Sequence, residues 1–142
     1  MVFEYVNTFN CSKEEAFSIF INMDRRPEFI DIMDKSEWLQ RTEDGIGSIY
    51  REKLTFIGIP LNIDYEVTDY RENEIIASKC QMPPFHPLIT IKVYEEGKKC
   101  TASLTIDIKL GPLELMPKFL IKKQVDNIVD RFVMNYRKVL DK

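Results

Sequence analysis

Cys100-Thr101-Ala102-Ser103-Leu104-Thr105-Ile106-Asp107-Ile108-Lys109 alternates apolar and polar side chains without a break. Beyond Gly111-Pro112 and Pro117 the period changes, and Ile121, Val125, Ile128, Phe132, Tyr136 and Val139 recur at steps of three and four. Period two marks a half-buried strand; the longer step marks one face of a helix. The strand needs a cover on the side carrying Cys100, Ala102, Leu104, Ile106 and Ile108, and the amphipathic helix after it can supply one. Pro117 cannot sit inside a regular helix without costing a hydrogen bond. The helix therefore starts there, or kinks there after a turn begun at Pro112.

Upstream the same period-two pattern repeats, predicting strands near 34–42, 47–57, 61–70, 74–82 and 88–95, with the last strand at 99–110. Leu61, Ile63, Tyr65 and Val67 share one face, against Asn62, Asp64, Glu66 and Thr68 on the other. The connections are short, and Asp44-Gly45 between alternating runs is the strongest hairpin signal among them. Val2 to Phe9 reads as a further strand able to complete an edge. Ser12-Lys13-Glu14-Glu15 has the spacing of a capping box, which starts a helix carrying Phe17, Phe20 and Ile21 inward. A second short helix or turn follows from Asp24 to Ile32, with Pro27 in its first turn. The expected fold is α+β: a curved seven-stranded antiparallel sheet wrapped around a long C-terminal helix, with two short helices after strand 1.

A chain of 142 residues fits one domain, expected over 1–142. Such a domain buries ~68–70% of its unfolded surface and needs no disulfide or metal to hold a core. The net charge of −3 comes with interspersed signs, which offers no basic stripe for nucleic acid. The sequence shows no signal peptide and no apolar stretch near the ~20 residues of a membrane span, so a cytoplasmic protein is expected. Cys11, Cys80 and Cys100 are scattered, and His86 is the single histidine. Free buried thiols, no metal and no cofactor are the expectation.

The turns of a meander fall alternately at two ends. One end gathers Glu43-Asp44-Gly45, Arg71-Glu72-Asn73 and Glu95-Glu96-Gly97-Lys98; the other gathers 57–61, 82–88, 110–113 and the helix start at 115–119. The first end is charged. The second is built from Ile, Phe, Met, Leu and Pro, unusual for loops: it is the mouth of a cavity, or a set of loops capping a solid core. Inward-facing residues are the candidate ligand contacts. They are Trp38, Tyr50, Glu52, Leu54, Phe56, Ile63 and Tyr65 from the middle strands, and Leu104 and Ile106 from the last. Phe85, Met116 and Phe119 come from the apolar end, and Ile128 and Phe132 from the helix. Glu52 is an acid/base carboxyl inside the concave face, a satisfied residue hydrogen-bonded to a Tyr, or a residue exposed where the strand twists to the rim. The facing of Lys79 is open. His86 has no positioned partner nearby and reads as a surface residue. No phosphate loop or nucleophile elbow is present, and no catalytic set is assigned.

The element order resembles the START-like (SRPBCC) superfamily with its helix-grip fold. Local words are similar to its polyketide cyclase/dehydrase and lipid-transport branches: Phe3-Glu4-Tyr5, Cys11-Ser12-Lys13-Glu14-Glu15-Ala16-Phe17, Met23-Asp24-Arg25-Arg26-Pro27-Glu28-Phe29, Gly45-Ile46-Gly47-Ser48-Ile49-Tyr50-Arg51 and Tyr65-Glu66-Val67-Thr68-Asp69-Tyr70. The resemblance implies a hydrophobic cavity between helix and sheet, holding a lipid, isoprenoid or polyketide-like molecule. It fixes no reaction. Two alternatives stand beside a binder: a cyclase/dehydratase using Glu52 and a Tyr, and a module docking a protein or, transiently, a membrane through the apolar end.

Overall fold

In the computed structural model, which describes residues 1–141, seven strands form one antiparallel sheet. They are β1 (Val2–Phe9), β2 (Met33–Gln40), β3 (Ile49–Phe56), β4 (Ile59–Arg71), β5 (Ile75–Lys79), β6 (Leu88–Glu96) and β7 (Lys99–Asp107). Their order is β1-β7-β6-β5-β4-β3-β2. The meander is thus closed at one edge by β1, which returns to pair with β7 from Val2↔Asp107 to Phe9↔Cys100.

Helix α1 (Lys13–Phe20) begins at Ser12, whose Oγ accepts from the Glu15 amide at 3.1 Å. That bond satisfies one of the four unpaired donors of the first turn. A 3₁₀ turn at Met23–Arg25 leads into α2 (Arg26–Phe29), one turn long with Pro27 near its start. The helix α3 (Lys118–Leu140) starts directly after Pro117, and Pro112 belongs to a separate 3₁₀ turn, Gly111–Leu113. Of the two arrangements open for Pro117, the protein adopts the one that needs no kink.

Three local readings change. Asp44-Gly45 sits within a longer connection, since β2 ends at Gln40 and β3 starts at Ile49. Side chains hold that loop: Thr42 Oγ1 donates to Ile46 O at 2.7 Å, the Thr42 amide to Ser48 Oγ at 2.9 Å, and the Ile46 amide to Asp44 Oδ1 at 3.1 Å. Such bonds replace the ladder that a tight hairpin would have extended. Gly45, at φ +87°, lies under the Tyr70 ring, which a Cβ would meet at 2.5 Å. Secondly, β5 is buried on both faces from Ile75 to Ser78, so the sheet is not wet along its whole outer side. Thirdly, the stripe of α3 runs Ile121, Val125, Val129, Tyr136 and Leu140, while Val139 is 41% exposed. The last step is four residues instead of three, as a period of 3.6 allows.

The core divides in two. Phe9, Phe17, Phe20, Met23, Phe29, Tyr50, Tyr65 and Tyr136 gather under α1 and α2. Phe3, Phe85, Ile108, Leu113, Ile121, Val125 and Val129 gather at the apolar end. Cys11, Cys80 and Cys100 are buried and form no disulfide among the described residues. No helix is long and apolar enough to cross a membrane, and no cluster of three His, Cys, Asp or Glu is placed to hold a metal, among the described residues.

Candidate functional site: an apolar cavity with one polar end

Between α3 and the concave face lies a cavity of about 210 Å³. Its walls follow from the alternation of each strand. β1 contributes Tyr5, Asn7 and Phe9, and β3 and β4 contribute Glu52, Leu54, Phe56, Leu61, Ile63 and Tyr65. β6 and β7 add Ile89, Ile91, Ala102, Leu104 and Ile106, and α3 adds Val125, Ile128, Val129, Phe132, Val133 and Tyr136. Ten of the fourteen candidate contacts therefore line the cavity: Glu52, Leu54, Phe56, Ile63, Tyr65, Phe85, Leu104, Ile106, Ile128 and Phe132. The void exceeds the ~150 Å³ of an apolar hole that stays dry and takes up benzene.

The other four lie elsewhere. Trp38 and Tyr50 face inward but behind the wall: Trp38 donates from Nε1 to Ile21 O at 3.2 Å, and Tyr50 stacks on Tyr65 with ring centres 4.9 Å apart. Met116 packs into the apolar-end cluster, and Phe119 is 71% exposed. At that end the loops close on one another. Phe85 meets Phe56 edge-on at 5.2 Å, the Lys109 amide donates to Phe85 O at 2.7 Å, and a Cβ on Gly111 would strike Pro84 O at 2.5 Å. They cap the core there, with Leu115 left wholly exposed outside it. Lys79 pairs in register with exposed Glu66, on the outer face, and half-buried His86 lies off the cavity.

The polar end is built around Arg26, which the sequence reading did not single out. Arg26 and Glu52 are 6% and 5% exposed, and Arg26 Nη1 donates to Glu52 Oε2 at 2.8 Å. Arg26 Nε donates to Phe20 O at 3.0 Å, and the guanidinium lies 5.3 Å from the centre of the Tyr50 ring. Burial disfavours the Arg26 charge, but Glu52, with Tyr50 and Tyr136, outweighs it and the guanidinium is held more firmly protonated than usual. Glu52 is inward, as one reading expected, yet it is ion-paired and so is not the lone carboxyl that an acid/base role requires.

Tyr65 and Tyr136 complete this end. Burial, followed by the Glu52 charge, pushes the Tyr65 hydroxyl well above its usual range. Burial also raises Tyr136, to about 12, against the lowering effect of Arg26. Both phenols therefore keep their protons at neutral pH, and a protonated phenol can donate a hydrogen bond. Tyr136 is wedged in place by Phe29, stacked at 4.3 Å, and Phe20, edge-on at 5.1 Å.

A second, open groove of about 420 Å³ lies beside the cavity, and Ile32 and Ile128 line both. It runs between α3 and the segment after α2, which Asp31 ties down: Arg131 Nε lies 2.9 Å from Asp31 Oδ2, and Asn135 Nδ2 donates to Asp31 Oδ1 at 3.1 Å and to Phe29 O at 2.7 Å.

A START superfamily protein from Mycobacterium smegmatis superposes with a TM-score of 0.81 at 17% identity, covering 98% of this chain and 96% of its own. This is the START-like helix-grip fold. The Zhui aromatase/cyclase from a Streptomyces species shares it at TM-score 0.72 and 14% identity, covering 97% of this chain and 89% of that one. Major latex-like protein 151 from Panax ginseng does so at 0.74 and 10%, covering 99% and 97%. No family model and no curated sequence matches the chain. Within the START-like fold Arg26 has a weak sequence signal: an arginine three residues before Phe29 on a one-turn helix, too short for a period to show its face.

Proposed function

We propose that this chain acts as a single START-like domain that binds one small, mainly apolar molecule in the cavity, with a neutral oxygen of that molecule at the Arg26–Glu52 end. The carrying observation is the contrast between mainly apolar walls and a polar end whose charges are already paired. Apolar burial supplies the affinity: about 200 Å² of ligand surface at about 25 cal/mol per Å² gives about 5 kcal/mol before association costs. The phenols of Tyr65 and Tyr136 supply orientation by donating to a carbonyl or hydroxyl.

Native mass spectrometry of the purified protein, followed by displacement of a hydrophobic dye, tests this. Ala102→Phe puts a ring into the cavity and should abolish binding without unfolding the chain. Glu72→Ala and Glu96→Ala, at the charged turns, should leave it unchanged. Equal effects from both sets refute the reading. A second reading, a cyclase/dehydratase, is favoured by the approach of Tyr65 and Tyr136 to one cavity and by the aromatase/cyclase among its structural neighbours. It predicts that the bound molecule leaves chemically changed; a binder returns it unaltered.

A further inference from the structure

The open groove outside the cavity has chemistry of its own. Its floor is Ile32, Leu120 and Ile128, and its polar wall is Asp31, Lys123, Gln124, Asn127 and Arg131. On α3, Lys123, Asn127 and Arg131 are spaced four apart and so line up along one face, spanning about 12 Å at 1.5 Å per residue. Their charges are not equivalent. Arg131 is held by Asp31, whose other oxygen takes Asn135. Lys123 has no ion-pair partner among the described residues, so a cation stands available beside an apolar floor that continues into the cavity wall.

We propose that the ligand is an amphipathic acid. Its apolar body fills the cavity, and its carboxylate or similar anionic head rests in this groove beside Lys123, with Gln124 and Asn127 as further donors. This rests on the cavity being a ligand site. The orientation follows from charge. The deep end has one cation, Arg26, already spent on Glu52, so an anion driven there would meet a buried carboxylate. Only the outer end offers an uncommitted positive charge. Size limits the class further: about 210 Å³ takes one short tail or one or two rings, not the two chains of a diacyl lipid.

The probes are decanoate and 1-decanol, with the same tail and different heads, titrated against the full chain at low salt. Lys123→Gln should weaken decanoate about two- to fivefold, as expected for a largely exposed ion pair, and Lys123→Glu more. The preference for acid over alcohol should fall in both variants, and in the unmodified protein it should shrink at about 0.5 M salt. Lys99→Gln, the same charge change at the opposite end of the sheet, should do nothing. If both probes bind but neither Lys123 variant alters the acid-to-alcohol ratio, the groove is not a head site while the cavity reading survives. A loss equal for both probes overturns it too, showing that the lysine stem acts by packing. If neither probe binds the unmodified protein, or if both bind it and Ala102→Phe equally well, both readings fall together.

Discussion

Replacing Glu52 by Leu strands a guanidinium that is 6% exposed and cannot shed its proton. Its Nε keeps the Phe20 carbonyl at 3.0 Å, but the 2.8 Å bond that balanced its charge is gone. Breaking a buried pair from one side costs about 3–5 kcal/mol. At about 3 °C per kcal/mol for a chain of this size, the melting temperature should fall by about 9–15 °C. Arg26→Met leaves the carboxyl instead, which can escape by taking up a proton, so its loss should be smaller even though the Phe20 carbonyl also loses its donor. The double variant Arg26→Met/Glu52→Leu should return to within about 2 kcal/mol of the starting protein, because two desolvation costs vanish together. Urea unfolding of the four proteins gives the coupling energy directly. A Glu52→Leu cost below about 1 kcal/mol, or a double variant as unstable as the worse single one, would refute the pair as a coupled buried unit.

Ser36 Oγ is the one buried side-chain polar atom without a partner among the described residues, and Ser36 sits opposite Glu52 in the β2–β3 register. Ser36→Ala should therefore be neutral or stabilising by up to about 1 kcal/mol in urea unfolding; a clear loss would show that the hydroxyl is satisfied. Asp126 accepts from Lys122 at 2.8 Å and from the Tyr5 hydroxyl at 2.6 Å, and these bonds, Lys122 first, hold its carboxyl below the usual range. Its contribution is present above the unfolded value of ~3.9 and is lost as pH falls through the depressed folded value. Tyr5→Phe should move the Asp126 midpoint up in an NMR titration, and an unmoved midpoint would remove the Tyr5 bond from the account.

The alternation of β4 and β7 was enough to name the face on which Ile63, Tyr65, Leu104 and Ile106 stand, and those four line the cavity. Alternation says nothing about depth along that face. Trp38 and Tyr50 point inward as read, but they are paired in register at a place where α1 and the 3₁₀ turn fill the concavity, with Ile21 O taking the indole proton. The hollow lies further along, under α3 and the Arg26–Met33 segment. Arg26 was illegible for a different reason: its facing is decided by a carboxylate 26 positions away and by a carbonyl on the preceding helix. Neither distance has a period. Phe119 was misjudged because the chemistry of a loop end indicates where apolar residues collect and not which of them find cover; Phe85 and Leu113 took the available space.

The void itself follows from side-chain size more than from backbone geometry. Where α3 crosses the sheet it presents Val125, Val129 and Val133, and β7 presents Ala102. Those side chains are short for a gap spanned between a helix and a strongly curved sheet. Toward its polar end Phe9, Phe20 and Tyr136 narrow the same space, with Phe29 stacked on Tyr136. Apolar volume left unfilled forfeits packing contacts, and here it amounts to about 210 Å³. Larger residues at Ala102 or Val129 would recover part of it at no cost to the alternation. The room that these four positions leave, between the rings of Phe56, Phe85 and Phe132 on the same walls, is the space the proposed ligand would fill.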